Sequence, residues 1–183
     1  MSSVKIVTIK PPAIADYPLV FREEIELVPT VEDFCTQLAE QNQETKKIVG
    51  QFGEMNAGLR YAEGKWSVRE VIGHLSDCER ILSYRMLRFA RGDSTVLAGF
   101  DQNAFVTTGV FESRSLSEVM EEFVAVRSAT IALLRGVPES AFDARGTTGK
   151  SNMTVAALAY LIAGHELHHQ ELLRSRYLPL VQH

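Results

Sequence analysis

Two serines, each followed three residues later by a glutamate, head the most regular amphipathic stretches of this chain: Ser67-Val-Arg-Glu70 and Ser115-Leu-Ser-Glu118. In such a capping box the serine hydroxyl and the glutamate carboxylate satisfy backbone N–H groups that a helix start leaves without partners. After the first box, Val71, Ile72, Leu75, Cys78, Leu82, Met86 and Phe89 keep to one side of a helix that closes near Arg91-Gly92. After the second, Val119, Phe123, Val126 and Leu133 do the same until Gly136 and Pro138. Thr30-Val-Glu-Asp33 opens another helix, with Phe34, Leu38, Asn42 and Ile48 along it, to about residue 52. A fourth starts at Ser151 or Asn152 and runs past His169 to about Arg174. The run 4–9 alone has β character and is too short to build a sheet. Four long helices predict an all-α, four-helix bundle.

The prolines at 11, 12, 18 and 29 make residues 1–29 an extended N-terminal arm with one short helical turn. Residues 30–177 then form the bundle and 178–183 a C-terminal tail. Residues 52–64, the segment with Gly99, Asp101, Asn103 and Gly109, and residues 139–150 read as loops. They are long for a minimal bundle, and leave material to roof a pocket at one end. A net charge of −4 gives no electrostatic reason to expect nucleic acid. No apolar run approaches the roughly 20 residues that span a bilayer, so no membrane segment is expected. Without a leader-like apolar stretch, and with Cys35 and Cys78 as the only cysteines, the expectation is a cytoplasmic protein with two free thiols.

The last helix carries the chemistry. His165 and His169 are four residues apart and share one face. At about 100° per residue, Leu158, Leu161, Ile162, Leu172 and Leu173 fall within roughly 80° of His165, so both imidazoles point toward a core. Nitrogens buried there need hydrogen bonds or a metal. Two imidazoles so placed can chelate one divalent cation. His74 is the sole other internal histidine outside this cluster, at the border of its helix's apolar face. Taken alone, it reads as a hydrogen-bonded structural residue or as a third ligand from a facing helix.

The segments GKWSVREVIGHLSDCERILSYR (64–85) and AGHELHHQELL (163–173), with RGD at 91–93 and FDQNAF at 100–105, resemble the DinB superfamily of metal-binding four-helix bundles. The resemblance spans roughly residues 30–177 and the arm from Tyr17. Its most specific part is Trp66-Ser67, a histidine eight residues after the tryptophan, and HxxxH about ninety residues later. It implies that His74, His165 and His169 bind a divalent metal (zinc, nickel, iron or manganese), with His168 outside the ligand set. Many members carry threonine where this chain has Cys78. The resemblance further implies a metal-dependent enzyme acting on a small-molecule substrate, by hydrolysis or by transfer involving a low-molecular-weight thiol, and pairing as a homodimer. The alternative is a non-catalytic bundle whose metal serves stability or sensing.

His165-Glu166-Leu167-His168-His169 also satisfies HExxH, the zincin peptidase pattern, in which Glu166 would be the general base. Zincins set that helix under a β-sheet, and none is visible here. Glu166 otherwise reads as a flanking carboxylate, solvated or paired. Three imidazoles leave coordination positions open, which suits a Lewis-acid centre better than a structural one. Cys78, one turn after His74, is the nearby soft ligand that could close it. Asp77 is a candidate partner for a ligating imidazole or for Arg80 or Arg69, and Glu79 flanks the same turn. Trp66 reads as a packing residue at the bundle end. Arg85 and Arg88 offer a carboxylate anchor or surface ion pairs, and Asp101 and Gln102 could approach the pocket mouth.

Overall fold

Both Ser-x-x-Glu segments start helices, with the reciprocal hydrogen bonds that their spacing requires. A computed structural model describes residues 5–181. In chain order it contains the short helix α1 (Arg22–Glu26), α2 (Phe34–Gly50), α3 (Val68–Ala90), the short α4 (Gln102–Thr108), α5 (Leu116–Arg135), strands β1 (Arg145–Thr148) and β2 (Ser151–Thr154), and α6 (Val155–Leu172). The long helices α2, α5, α3 and α6 pack in that cyclic order, each against its two neighbours. The fold is the expected four-helix bundle.

Several boundaries differ from the sequence reading, each for a local reason. The first long helix is capped by Asp33 rather than Thr30. Asp33 Oδ1 accepts from the Cys35 N–H at 3.2 Å and from the Val7 N–H at 3.1 Å, so one side chain starts the helix and ties down the arm. The last helix starts at Val155, capped by the Thr154 hydroxyl on the Ala157 N–H at 3.1 Å. Residues 145–154, read as loop and helix start, are instead an antiparallel hairpin in which Thr148 pairs with Ser151 around Gly149 and Lys150. Gly149 takes the left-handed conformation, φ +58°, that so tight a turn demands. Four-residue strands with no apolar alternation leave little trace in a sequence. Leu97 adds a single bridge to the hairpin edge, closing one end of the bundle. The loop after α3 folds in part into α4, capped by Asp101.

The arm belongs to the core. Val7, Ile9, Tyr17, Ile25 and Val28 are buried in one apolar cluster with the first half of α6. Residues 5–9 pair with no strand among the described residues, and Val4 lies outside them. Besides the Asp33 bond, the Val7 carbonyl accepts from the Phe34 N–H and the Ile9 carbonyl from the Tyr160 hydroxyl, while Lys5 Nζ donates to the Arg135 and Val137 carbonyls and the Thr8 hydroxyl to the Glu32 carbonyl. At α1 the approach is closest: a Cβ on Gly164 would stand 1.9 Å from the Glu24 carbonyl oxygen. Only glycine lets α1 rest on α6 beside His165. A second cluster joins the N-terminal halves of α3 and α5 to Leu173 and Tyr177. Leu75 and Leu82 of α3 fall in different clusters, as do Ala163 of α6 and Leu173 just after it, so the histidines lie between the two.

Candidate metal centre

His74 stands two turns into α3, and His165 and His169 stand one turn apart on α6. The antiparallel packing of α3 on α6 brings the three to one height. Ring centroids are 4.9 Å apart for His74 and His165, 5.1 Å for His74 and His169, and 4.7 Å for His165 and His169. One ring nitrogen from each lies within 4.8 Å of the other two. His74 and His169 are buried, while His165 is half-buried and borders an open cavity.

Two features of the cluster fit a cation. His74 Nε2 and His165 Nε2 are 3.1 Å apart. Two nitrogens that share a tetrahedral zinc at 2.0–2.1 Å stand about 3.3 Å apart, close to what is observed. His169 Nδ1 is buried and has no hydrogen-bond partner among the described residues. Electrostatics agree, because burial pushes the imidazolium forms out. His74 is held down to about 4 by burial. His165 falls to about 3 through burial, with His74 and His168 adding repulsion. Burial, then His165, His74 and His168, holds His169 well below the ordinary value. All three are therefore neutral near pH 7, the state that ligates.

The other residues singled out in the sequence divide sharply. Trp66 is half-buried and packs its ring 4.5 Å from that of His74. His168 is exposed. Cys78 Sγ lies 3.5 Å from His74 Nδ1 and 3.7 Å from its Nε2, beside the first ligand, while histidines alone make the three-residue cluster. Burial, reinforced by Asp77 and Glu24, pushes its thiol up to about 12, so Cys78 is protonated. Asp77 pairs with Arg80 at 3.6 Å. Arg88 is taken by Asp93, and Asp101 by the start of α4.

Glu166, the general base of the HExxH reading, is buried in the bundle core, where Oε1 accepts from the Thr45 hydroxyl at 2.6 Å and Oε2 from Arg127 Nη1 at 2.7 Å. Glu79, read as a flanking residue, is buried too and takes both Nε (2.8 Å) and Nη2 (2.7 Å) of Arg127. The same guanidinium reaches the Leu38 carbonyl at 3.3 Å. One arginine on α5 thus joins α2, α3 and α6. Burial works against its charge, but Glu166 and Glu79 outweigh that and hold it protonated. The sequence reading missed Arg127. Its signal was present, since it follows Phe123 by four residues and precedes Leu134 by seven, on the buried face.

A cavity of about 360 Å³ opens beside His165, between α1, α3, the hairpin and the segment before α4. Phe21, Leu82, Phe100, Met153 and Leu161 give it apolar walls, and Glu24, Cys78 and Arg85 bring polar groups. Burial, then repulsion from Glu23, raises the Glu24 carboxyl above the ordinary range. Such a volume suits a small molecule. The arm and the hairpin, which supply Phe21, Glu24 and Met153, carried no signal for this role in the sequence.

The fold has solved counterparts. YfiT from Bacillus subtilis, described as a probable metal-dependent hydrolase with an unusual four-helix bundle topology, superposes with a TM-score of 0.70 at 20% identity, over 77% of this chain and 82% of that one. A mycothiol-dependent maleylpyruvate isomerase superposes with a TM-score of 0.64 at 13% identity, over 80% of this chain and 61% of that one. Comparison with curated proteins gave no significant match. The family model of the DinB superfamily matches residues 37–173, which include all three histidines and most of the bundle, and the chain belongs to the DinB superfamily.

Proposed function

We propose that this protein is a metal-dependent enzyme acting on a small molecule at the His74, His165 and His169 centre, by hydrolysis or by transfer to or from a low-molecular-weight thiol. One observation carries the reading: three neutral imidazoles converge on one point, and one of them, His165, lines a cavity of about 360 Å³. A structural site would be closed by four protein ligands and would need no cavity. A bound divalent cation would supply Lewis acidity, polarising a substrate oxygen and making a water or thiol more nucleophilic at neutral pH.

The remaining roles fall to the chain's own groups. His74, His165 and His169 hold the cation. Cys78 lies against His74 Nδ1 and helps to fix that ring, as partners of ligating histidines do. Glu24, with its raised affinity for protons, can hold a proton at a carboxyl oxygen for a departing group. Phe21, Leu82 and Phe100 keep the reacting atoms from bulk water. The Glu166–Arg127 pair braces α6 and engages the carboxylate that the HExxH reading would use as general base. Two free buried thiols fit a reducing compartment such as the cytoplasm, and no helix among the described residues is long and apolar enough to cross a membrane.

The test is elemental analysis of tag-free protein beside His165→Ala, followed by turnover of small esters, amides and thiol adducts with and without chelator. About one equivalent of divalent metal in the natural protein, lost in the variant, and chelator-sensitive turnover are expected. Equal metal content in both proteins would sink the proposal.

A further inference from the structure

The cavity contains a cation that the metal centre does not use. Arg85 is buried to 9% exposure, yet it forms no ion pair among the described residues. Its side chain makes one hydrogen bond among the described residues, from Nη2 to the Ala98 carbonyl at 3.0 Å. Phe100 lies against the guanidinium, 5.5 Å from ring centroid to Cζ. The contrast within the molecule is sharp. Arg127, the other buried arginine, is bracketed by two carboxylates, and half-buried Arg88 and Arg114 each hold one. A guanidinium carries five N–H donors, and leaving it in a partly apolar cavity without an anion is costly. Burial accordingly draws the Arg85 pKa below the ordinary arginine value.

We infer that Arg85 is the anchor for a carboxylate on the substrate, at the end of the cavity remote from the histidines. The inference rests on the proposed function for where the reacting group sits, but not for the anion site itself. Cys78, Leu82 and Arg85 follow one another along the α3 face that lines the cavity. At a rise of 1.5 Å per residue, Arg85 stands about 10 Å beyond Cys78, which itself touches His74. The substrate is therefore an elongated small molecule: a carboxylate at one end, an apolar body against Phe21, Phe100 and Met153, and the reacting bond at the other. A carboxylate fits better than a phosphate. One guanidinium serves a monoanion bidentately, whereas a phosphate dianion calls for further cations or free backbone N–H groups. The nearby N-terminus of α4 has little to spare, because Asp101 already accepts from the Asn103 and Ala104 N–H groups.

Benzoate is a suitable probe, short enough to reach Arg85 without the histidines, with benzamide as its neutral counterpart and inorganic phosphate as the competing anion. Binding is measured by calorimetry on the full chain, metal-loaded and metal-free, for the natural protein, Arg85→Gln, and Arg88→Gln as a control. Benzoate should bind in preference to benzamide and phosphate. Arg85→Gln should weaken it about tenfold or more, as expected for loss of a charged hydrogen-bond partner. Arg88→Gln should leave it unchanged. Where Arg85→Gln does not fold, Thr148→Trp, which narrows the cavity from the hairpin, should block benzoate without altering any charge. Benzoate binding that survives whichever of these two variants is folded, benzamide binding as tightly, or phosphate displacing benzoate at equal concentration overturns the assignment. If the natural protein takes up no metal but shows the benzoate pattern, the proposed function falls and the Arg85 site stands.

Discussion

Arg127 Nη1 lies 2.7 Å from Glu166 Oε2, and that ion pair sits one residue along α6 from a metal-centre histidine, on an adjoining face of the helix. Glu166 and His165 are about 100° apart on the helix, so the same turn sends one side chain into the polar core and the other to the cavity. The network continues through Gln170, whose Nε2 donates to the Gln41 carbonyl at 3.0 Å and to the Thr45 hydroxyl at 2.9 Å. It pins α6 to α2 and α5 directly behind the histidines. The rotation of α6 about its own axis, which sets the aim of both His165 and His169, is thereby held by hydrogen bonds to α2 and α5.

Removing the cation of this network should be severe. Arg127→Met leaves Glu79 and Glu166 buried together without their counter-charge, and a loss of about 3–5 kcal/mol in urea unfolding is expected. Replacing Arg127, Glu79 and Glu166 together by apolar residues of similar size should cost far less. A triple variant as unstable as Arg127→Met would show that packing, not charge, is at stake.

Glu166→Gln separates the network role from a general-base role. The amide keeps the shape of the carboxylate and can still accept from Thr45, so metal content should be unchanged and turnover should remain within about tenfold, with some loss of stability. A fall of about a hundredfold or more in turnover at full metal occupancy would restore Glu166 to the chemistry.

Gly164→Ala has a sign that helix propensity alone would get wrong. In an open helix the change would stabilise by about 1 kcal/mol. Here the new Cβ meets the Glu24 carbonyl oxygen at 1.9 Å, a backbone atom that cannot rotate away. A net loss of about 1–3 kcal/mol is expected, with displacement of α1 from the cavity wall. Thermal unfolding measures the first, and proteolysis within the arm reports the second.

The bundle was legible because the sequence writes it twice over, in Ser67 and Ser115 as caps and in the apolar spacing that follows each. The HxxxH pair was legible for the same reason: a helix period needs no tertiary information. The site's other half depended on long-range packing. Whether His74 meets His165 is set by the register of α3 on α6, which no local pattern records. Glu166 satisfied a short motif, and its true partner Arg127 lies 39 residues away on another helix. The hairpin at 145–154 was overlooked because its strands are short and polar, and Glu24 because its place in the cavity depends on Gly164, a residue from another element.

Acid should act on the arm through Asp33. Partial burial pushes its carboxyl up, but hydrogen bonds from Thr36 and from the Val7 and Cys35 N–H groups outweigh it, so the folded-state pKa is lowered. A lowered carboxyl gives stability that is fully present above its unfolded value, about 3.9, and is lost as the pH falls through the folded value. Asp33→Ala should therefore cost about 1 kcal/mol at pH 7, as for other N-caps, and less below about pH 3. A penalty independent of pH would mean that the carboxylate charge plays no part.

Cys78 decides whether the centre is open. Its sulfur touches His74 but lies outside the three-histidine cluster, and burial with the nearby Asp77 and Glu24 keeps it a thiol. A neutral thiol is a poor ligand, and Cys78 would have to give up its proton to bind the cation. Cys78→Ser should accordingly keep metal affinity within about tenfold, the range over which partners of a ligand act. His74→Ala and His169→Ala should abolish tight binding, while His168→Ala, at an exposed position, should not. Chelation should then lower the melting temperature of the natural protein and of Cys78→Ser alike. At a free metal concentration a thousand times Kd the expected stabilisation is about 4 kcal/mol. A loss of affinity in Cys78→Ser comparable to that in His169→Ala would make the centre a closed, four-ligand site, and the enzyme reading would give way to a structural one.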